Sequence, residues 1–289
     1  MKNSLRSTFI YLFMALVGIT ISSCGGGGGG GGTGSSSNTS QGKFIDAAVE
    51  GITYTSGSTT GETTADGTFT YETGQSVTFS IGGITLGTVS GSAIITPVQL
   101  IASAVNQNNP FVTNIVQFLL TIDDDGDETN GIQITAAIRT AAASLSIDFT
   151  SATFDSDVAV TNAIVALTGA STFGTRALVS ESFAQSHLGT SLFSILSGNY
   201  SGTYSGTDSG SWTVTVSASG GVTGSGSSLG GTNPFTITGS VTTSGTASAT
   251  ASGSAGSSTW NGTIDITSGG FTGTWSGGTD NGTFSGSKQ

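Results

Sequence analysis

The chain has 289 residues, with 17 acidic against six basic side chains and a net charge of −11, and only 8% of its residues are charged. So acidic a balance repels nucleic acid and anionic lipid headgroups and excludes both as partners held by charge. One cysteine permits no internal disulfide, and 47 glycines with regularly spaced aromatic and β-branched residues point to Gly/Ser/Thr-rich β-structure held by packing, with or without a metal, and not to a disordered polyelectrolyte.

At the start of the chain, Lys2 and Arg6 precede an apolar run from Thr8 to Ile21, and small residues then lead to Cys24. A charged segment, an apolar segment and a processing site in that order predict an export signal over residues 1–23. The apolar run is about 14 residues long, whereas a spanning helix needs roughly 20. Ile21-Ser22-Ser23-Cys24 resembles the lipobox of bacterial lipoproteins. That resemblance implies a diacylglyceryl thioether on Cys24 and, after cleavage, an acylated amino group; two or more acyl chains anchor a protein stably to a membrane. The other reading is an ordinary signal peptide with an incidental cysteine, which leaves a single thiol in a secreted protein unexplained. Gly25 stands where an inner-membrane retention signal has Asp, which by analogy implies the outer membrane, its periplasmic or surface-facing side left open. Residues 24–41 then read as the lipidated cysteine and a Gly/Ser tether with a reach of about 23 Å.

Residues 42–195 read as a β-sandwich-like module with packed helices. Between Lys43 and Ser92, alternating runs such as Thr68-Phe69-Thr70-Tyr71 and Val77-Thr78-Phe79-Ser80-Ile81 are separated by Asp-Gly and Gly-Gly turn signals, which predicts four to six antiparallel strands. Val49-x-Gly51, Thr64-Ala65-Asp66-Gly67-Thr68-Phe69 and Gly74 resemble the carboxypeptidase-regulatory-like, transthyretin-like β-sandwich modules of secreted proteins. The resemblance implies a non-catalytic scaffold or adhesion module. Some 50 residues bury only a marginal core alone, so this segment is expected to dock on the helical residues C-terminal to it.

Four helices are expected next. Asn109-Pro110 opens the first, with Val112, Ile115, Val116 and Leu119 on one face. The second runs through Ala136, Ala137, Ile138 and Ala141; the third follows Ser156-Asp157 with Val158, Thr161, Ile164 and Val165 on one side and Gly169 at its end. The fourth carries Leu178, Val179, Phe183 and Leu188, with Gly189 as its stop.

Between the first two helices, Asp123-Asp124-Asp125-Gly126-Asp127-Glu128 packs five carboxylates into six residues. Neighbouring charges about 6 Å apart repel by roughly 0.7 kcal/mol even in water, and a hard cation reverses that sign. Asp123, Asp125 and Asp127 have the alternate spacing that turns side chains onto one calcium ion, with Asn130 as a further ligand. The loop resembles the DxDGD calcium loops of extracellular repeat proteins but fails the EF-hand pattern, because the closing acidic position holds Ile134. The alternative is a solvated acidic turn. From Ile45 to Ile134 the phrases DAAVEG, TFTYETG, FSIGGITLG and FLLTIDDDGDETNGI together resemble the N-terminal part of surface lipoproteins of Gram-negative bacteria, a resemblance that implies a location and no active-site residue.

From residue 196 onward the pattern is period two with glycine-rich turns, predicting about eight antiparallel strands in a meander that forms a barrel or a sandwich. Tyr200 and Tyr204, Trp212 with Val214 and Val216, Trp260 with Ile264, and Phe271 with Trp275 share inward faces. GSWTVTV, FTITGSV and FTGTWSG are similar in rhythm to calycin and avidin-like barrels, a fold analogy only. The three tryptophans read as core or rim residues before ligand-stacking ones.

Candidates for catalysis are weak. Gly226-Ser227-Ser228-Leu229-Gly230 fits a nucleophile elbow by letters but lies in a Gly/Ser-rich hairpin. His187 is the sole histidine and, placed near a helix end, reads as a capping residue. The sequence as a whole therefore predicts a non-enzymatic, lipid-anchored envelope protein that binds a surface glycan or protein or serves as structure, with calcium as its candidate cofactor. The alternatives are a glycan-acting hydrolase using acidic residues and a carrier of small apolar ligands in the C-terminal barrel.

Overall fold

The computed structural model describes residues 38–289 except 230 and 232; the expected export signal, Cys24 and most of the expected tether lie outside the described residues. Among the described residues the fold is mainly β, with five helices and a closed C-terminal barrel.

The first half holds β1 (Thr39–Phe44), β2 (Val49–Glu50), β3 (Thr53–Ser56), β4 (Thr59–Glu62), β5 (Thr68–Glu72), β6 (Ser76–Ile81), β7 (Ile84–Ser90), β8 (Ile94–Ile95) and β9 (Ile132–Gln133). Its helices are α1 (Pro97–Leu100), α2 (Pro110–Thr121), α3 (Ala136–Ala141), α4 (Val158–Gly169) and α5 (Glu181–Leu196). Alternation puts Phe69 and Tyr71 of β5 and Val77, Phe79 and Ile81 of β6 on buried faces. One sheet has the order β5-β1-β8 and the other β4-β3-β6-β7. They meet where Phe79 packs against Phe44 and Phe69, with ring centroids 4.9 and 5.1 Å apart, so the arrangement is sandwich-like. The helices share that core: Ile115, Phe118, Leu119, Leu167, Leu188 and Leu192 are buried with the strands, as the docking expectation required.

Several boundaries differ from the sequence reading. The strand β1 begins at Thr39, inside the expected tether, and Thr39, Ser40 and Gln41 pair with Glu72, Tyr71 and Thr70. Composition marks these residues as linker, but backbone groups pair regardless of side chain, and Gly42 fits beneath Phe69, whose Cζ would stand 2.5 Å from an added Cβ. Not all pairing is antiparallel: β1–β8 and β2–β9 are parallel. The short α1 has no counterpart in that reading, although Thr96 and Gln99 form its capping box. On α4 the buried residues are Val160, Ala163, Ile164 and Leu167, while Val158 and Val165 are 72% and 51% exposed. Both stripes obey the helical period, and only tertiary packing selects one.

The fourth helix is corrected most. Ser180 caps α5, accepting from the Phe183 amide, so Leu178 and Val179 precede it. The helix runs through Gly189, where a side chain would press on Gln107, and buries Ala184, Leu188, Leu192 and Leu196. Packing outweighs the roughly 1 kcal/mol that glycine costs a helix interior. His187 consequently sits in mid-helix and caps nothing.

The second half is a barrel of β10 (Gly198–Gly206), β11 (Gly210–Val216), β12 (Gly221–Ser228), β13 (Pro234–Val241), β14 (Thr246–Gly253), β15 (Gly256–Ile264), β16 (Gly270–Gly277) and β17 (Asp280–Lys288). Each strand pairs with its sequence neighbour, and β17 returns to β10 to close the ring. Inside, Trp212, Phe271 and Phe284 meet edge to face at 5.1–5.8 Å. Gly262 and Gly273 face each other across β15 and β16 beneath the Phe284 ring, and a Cβ on either would come within 2.6 Å of Phe284 Cζ. The interior void is about 20 Å³ and is lined by Trp212, Val222, Ile237 and Phe284 among others, so the lumen is filled by side chains.

The two barrel ends differ. At one, the end of α5 closes the ring: Leu196 belongs to the barrel core, Tyr200 Oη donates to Leu196 O at 2.8 Å, and Lys288 Nζ donates to Ile195 O at 2.7 Å. The turns after β10, β12, β14 and β16 gather at the other end, which is open.

Candidate functional site

The acidic loop is organised by its own hydrogen bonds. Asp123 is buried; its Oδ1 accepts from the Gln133 amide at 2.8 Å, while Oδ2 has no donor among the described residues. Burial, with Asp125 adding repulsion, pushes the Asp123 carboxyl up to about 6. Asp125 accepts from the Asp127 amide at 3.0 Å and from Asn130 Nδ2 at 2.8 Å, and the Asn130 bond holds its carboxyl below the ordinary range. Asp127 turns away to cap the 3-10 turn Glu128–Asn130 through Thr129. Asp124 accepts from the hydroxyls of Thr172 and Thr135.

Of the four expected calcium ligands, then, Asp123 and Asp125 come together, Asp127 does not, and Asn130 presents its amide nitrogen inward. Among the described residues no three acidic, histidine or cysteine side chains form a group that could hold a metal ion. A cation is nevertheless present: Arg176 Nε donates to Thr121 O at 2.6 Å, its Nη2 donates to Asp123 O, and its guanidinium lies 4.9 Å from the Phe173 ring centroid. Local spacing carries no signal for an arginine some 50 residues away.

His187 meets a partner from the first strand connection. Its Nε2 lies 3.5 Å from Asp46 Oδ1 and 3.3 Å from Asp46 O. Asp46 is fully buried and neither carboxylate oxygen has a hydrogen-bond donor among the described residues. Burial pushes Asp46 up and His187 down, which favours the neutral form of each. Ser191, one turn further along α5, accepts from the Ala47 amide at 3.1 Å, so the cluster clasps the 45–48 bend onto the helix.

The open barrel end supplies a site that residue patterns do not single out. Tyr204, Phe235, Trp260 and Trp275 converge there, and Tyr204 stands 5.4–5.8 Å from each of the others. They line a cup of about 130 Å³ whose rim carries Asp208 and Asp280. Asp208 is fixed: Oδ2 accepts from Ser228 Oγ at 2.8 Å and Tyr204 Oη at 3.0 Å, and Oδ1 from the Ser209 amide at 2.7 Å. The Ser228 bond, foremost, holds its carboxyl below the usual range, so it is ionised at neutral pH. Ser228, a letter of the apparent nucleophile elbow, thus serves as a donor to Asp208 at the end of β12. Indole Nε1 of Trp260 is taken by Ser258 and that of Trp275 by Ser205 O. The signal available in the sequence is parity: in a meander, alternate turns meet at one end.

Comparison with protein-family models, with curated proteins and with solved structures returned no match.

Proposed function

We propose that the protein is a lipid-anchored component of the bacterial outer membrane that acts by binding, with the open barrel end as its site. The observation that carries the binding part is the cup: aromatic rings at the base and a fixed carboxylate at the rim, on a closed barrel whose other end is plugged. A filled lumen disfavours an apolar ligand carried inside the barrel. Anchoring rests on the Ile21–Cys24 lipobox resemblance and on the export pattern before it.

Titrating the mature protein with neutral sugars, oligosaccharides, amines and short peptides, and following Trp260 and Trp275 by fluorescence, tests the binding part. A saturable change with one class supports it, and silence across the panel overturns it. Cys24→Ala should move the protein from the membrane to the soluble fraction; continued membrane retention sinks the anchor. Release of reducing ends from envelope polysaccharides would replace binding with hydrolysis.

Calcium belongs to the same proposal as a stabiliser, supported by the Asp123–Asp125 pairing and the donorless Asp123 Oδ2. Millimolar calcium then raises the melting temperature over that in chelator, and superimposed curves remove this part.

A further inference from the structure

We propose that the ligand of the barrel-end cup is a small organic cation, an alkylated ammonium head seated against Tyr204, Phe235, Trp260 and Trp275 with Asp208 and Asp280 as its counter-charges. The inference rests on the reading of the cup as a binding site and names the chemical class that fills it.

Charge is the first argument. Two carboxylates edge the cup and, among the described residues, no basic side chain lines it. The four basic residues among the described ones are placed elsewhere: Lys43 bonds Asp66, Arg139 bonds Glu62, Arg176 serves the acidic loop and Lys288 lies at the plugged end. The described residues thus supply no counter-ion here. Asp208 is ionised and immobilised by three donors, so it presents a fixed negative charge with no reorganisation on binding.

The base of the cup supplies the second argument. Aromatic faces attract cations through their quadrupoles, most strongly where water is excluded, and tryptophan is the best of them. With both indole N–H groups already engaged, what Trp260 and Trp275 have left to offer is ring carbon, which suits an alkylated nitrogen better than a ring of hydroxyls.

Size is the third. The cup's volume, about 130 Å³, accommodates an alkylated ammonium head of about five heavy atoms.

The decisive experiment compares choline with 3,3-dimethyl-1-butanol, its uncharged carbon isostere, and with glucose, by calorimetric titration of the mature protein. Choline should bind saturably and at least tenfold more tightly than either, and more weakly as salt rises. Asp280→Asn, on the exposed rim, should weaken choline several-fold without changing the circular dichroism spectrum, and Asp208→Asn should weaken it more. Equal binding of the isostere, tighter binding of glucose, or unchanged choline affinity in both variants overturns the cation assignment and leaves the cup a binding site for another class. No binding of choline or tetramethylammonium overturns it as well, and only silence across the wider panel also removes the binding reading.

Discussion

The two halves of the chain solve the same problem, burying a core without a disulfide, in opposite ways. The barrel at 198–289 pairs every strand with its neighbour, and its core is aromatic rings on glycine-flattened backbone. Residues 38–197 join β1 to β8 and β2 to β9 across long connections and bury polar groups with the apolar ones, including Asp46, Asn114, Gln117 and Asp123. The barrel has local order and an apolar interior; the first half has long-range order held partly by hydrogen bonds such as Asn114 Nδ2 to Phe149 O at 2.9 Å and Gln117 Nε2 to Val179 O at 2.8 Å. A core built from neighbours tolerates few polar residues because the sheet already satisfies its backbone. A core crossed by loops needs side chains to satisfy the backbone groups it buries.

Four substitutions probe that contrast. Trp212→Ala removes a ring touching Phe271 and Phe284 and should cost about 3–5 kcal/mol. Calorimetry should show the barrel transition falling while that of the first half stays; a joint shift would mean that contacts such as Ile266, which packs against both cores, bind the halves into one cooperative unit. Next in size, Gly273→Ala drives a Cβ into Asn261 O and forces β15 and β16 apart, costing about 1–3 kcal/mol by urea denaturation.

In the first half the sign reverses, because there a polar group is held at a cost. Asp123 has a folded-state pKa of about 6 against an ordinary 3.8, so the folded chain binds its proton more tightly than the unfolded chain does. Its stabilising share is greatest below pH 4 and is lost as pH rises through 6. Asp123→Asn keeps an acceptor for the Gln133 amide and should raise stability at pH 7 by about 1–2 kcal/mol while flattening the pH 4–6 slope. An unchanged slope would place the titration elsewhere. Smallest, Gly189→Ala should raise the melting temperature slightly, by about 0.5 kcal/mol in stability, since helix propensity gains and only the Gln107 side chain must yield. A loss would show that α5 and Gln107 are packed without slack.

The same contrast explains what residue order discloses. Eight strands and their inward faces are readable from Tyr200 to Phe284 because period and turn spacing are local, and closure requires only one remote pairing, β10 with β17. The helix at Pro110–Thr121 is readable from its Asn109 cap. What is not readable crosses the chain: β2 with β9, Arg176 under the Asp123 carbonyl, His187 against Asp46. The acidic loop stands out by composition, yet its ligand set is only partly legible, since spacing cannot foretell that Asp127 caps Thr129. At the barrel end Asp208 follows β10 and Asp280 opens β17, far apart in sequence and brought together only by closure of the ring.

Ring closure by β17 also sets an order of events. Until Asp280–Lys288 has been made, β10 and β16 each expose an unpaired edge, and Phe284 is missing from the centre of the aromatic cluster. Seven strands synthesised without the eighth form an open, sticky sheet rather than a smaller barrel. Folding of this half is thus deferred until β17 has been made, while the first half can consolidate earlier, and any truncation within β17 should yield aggregation instead of partial function.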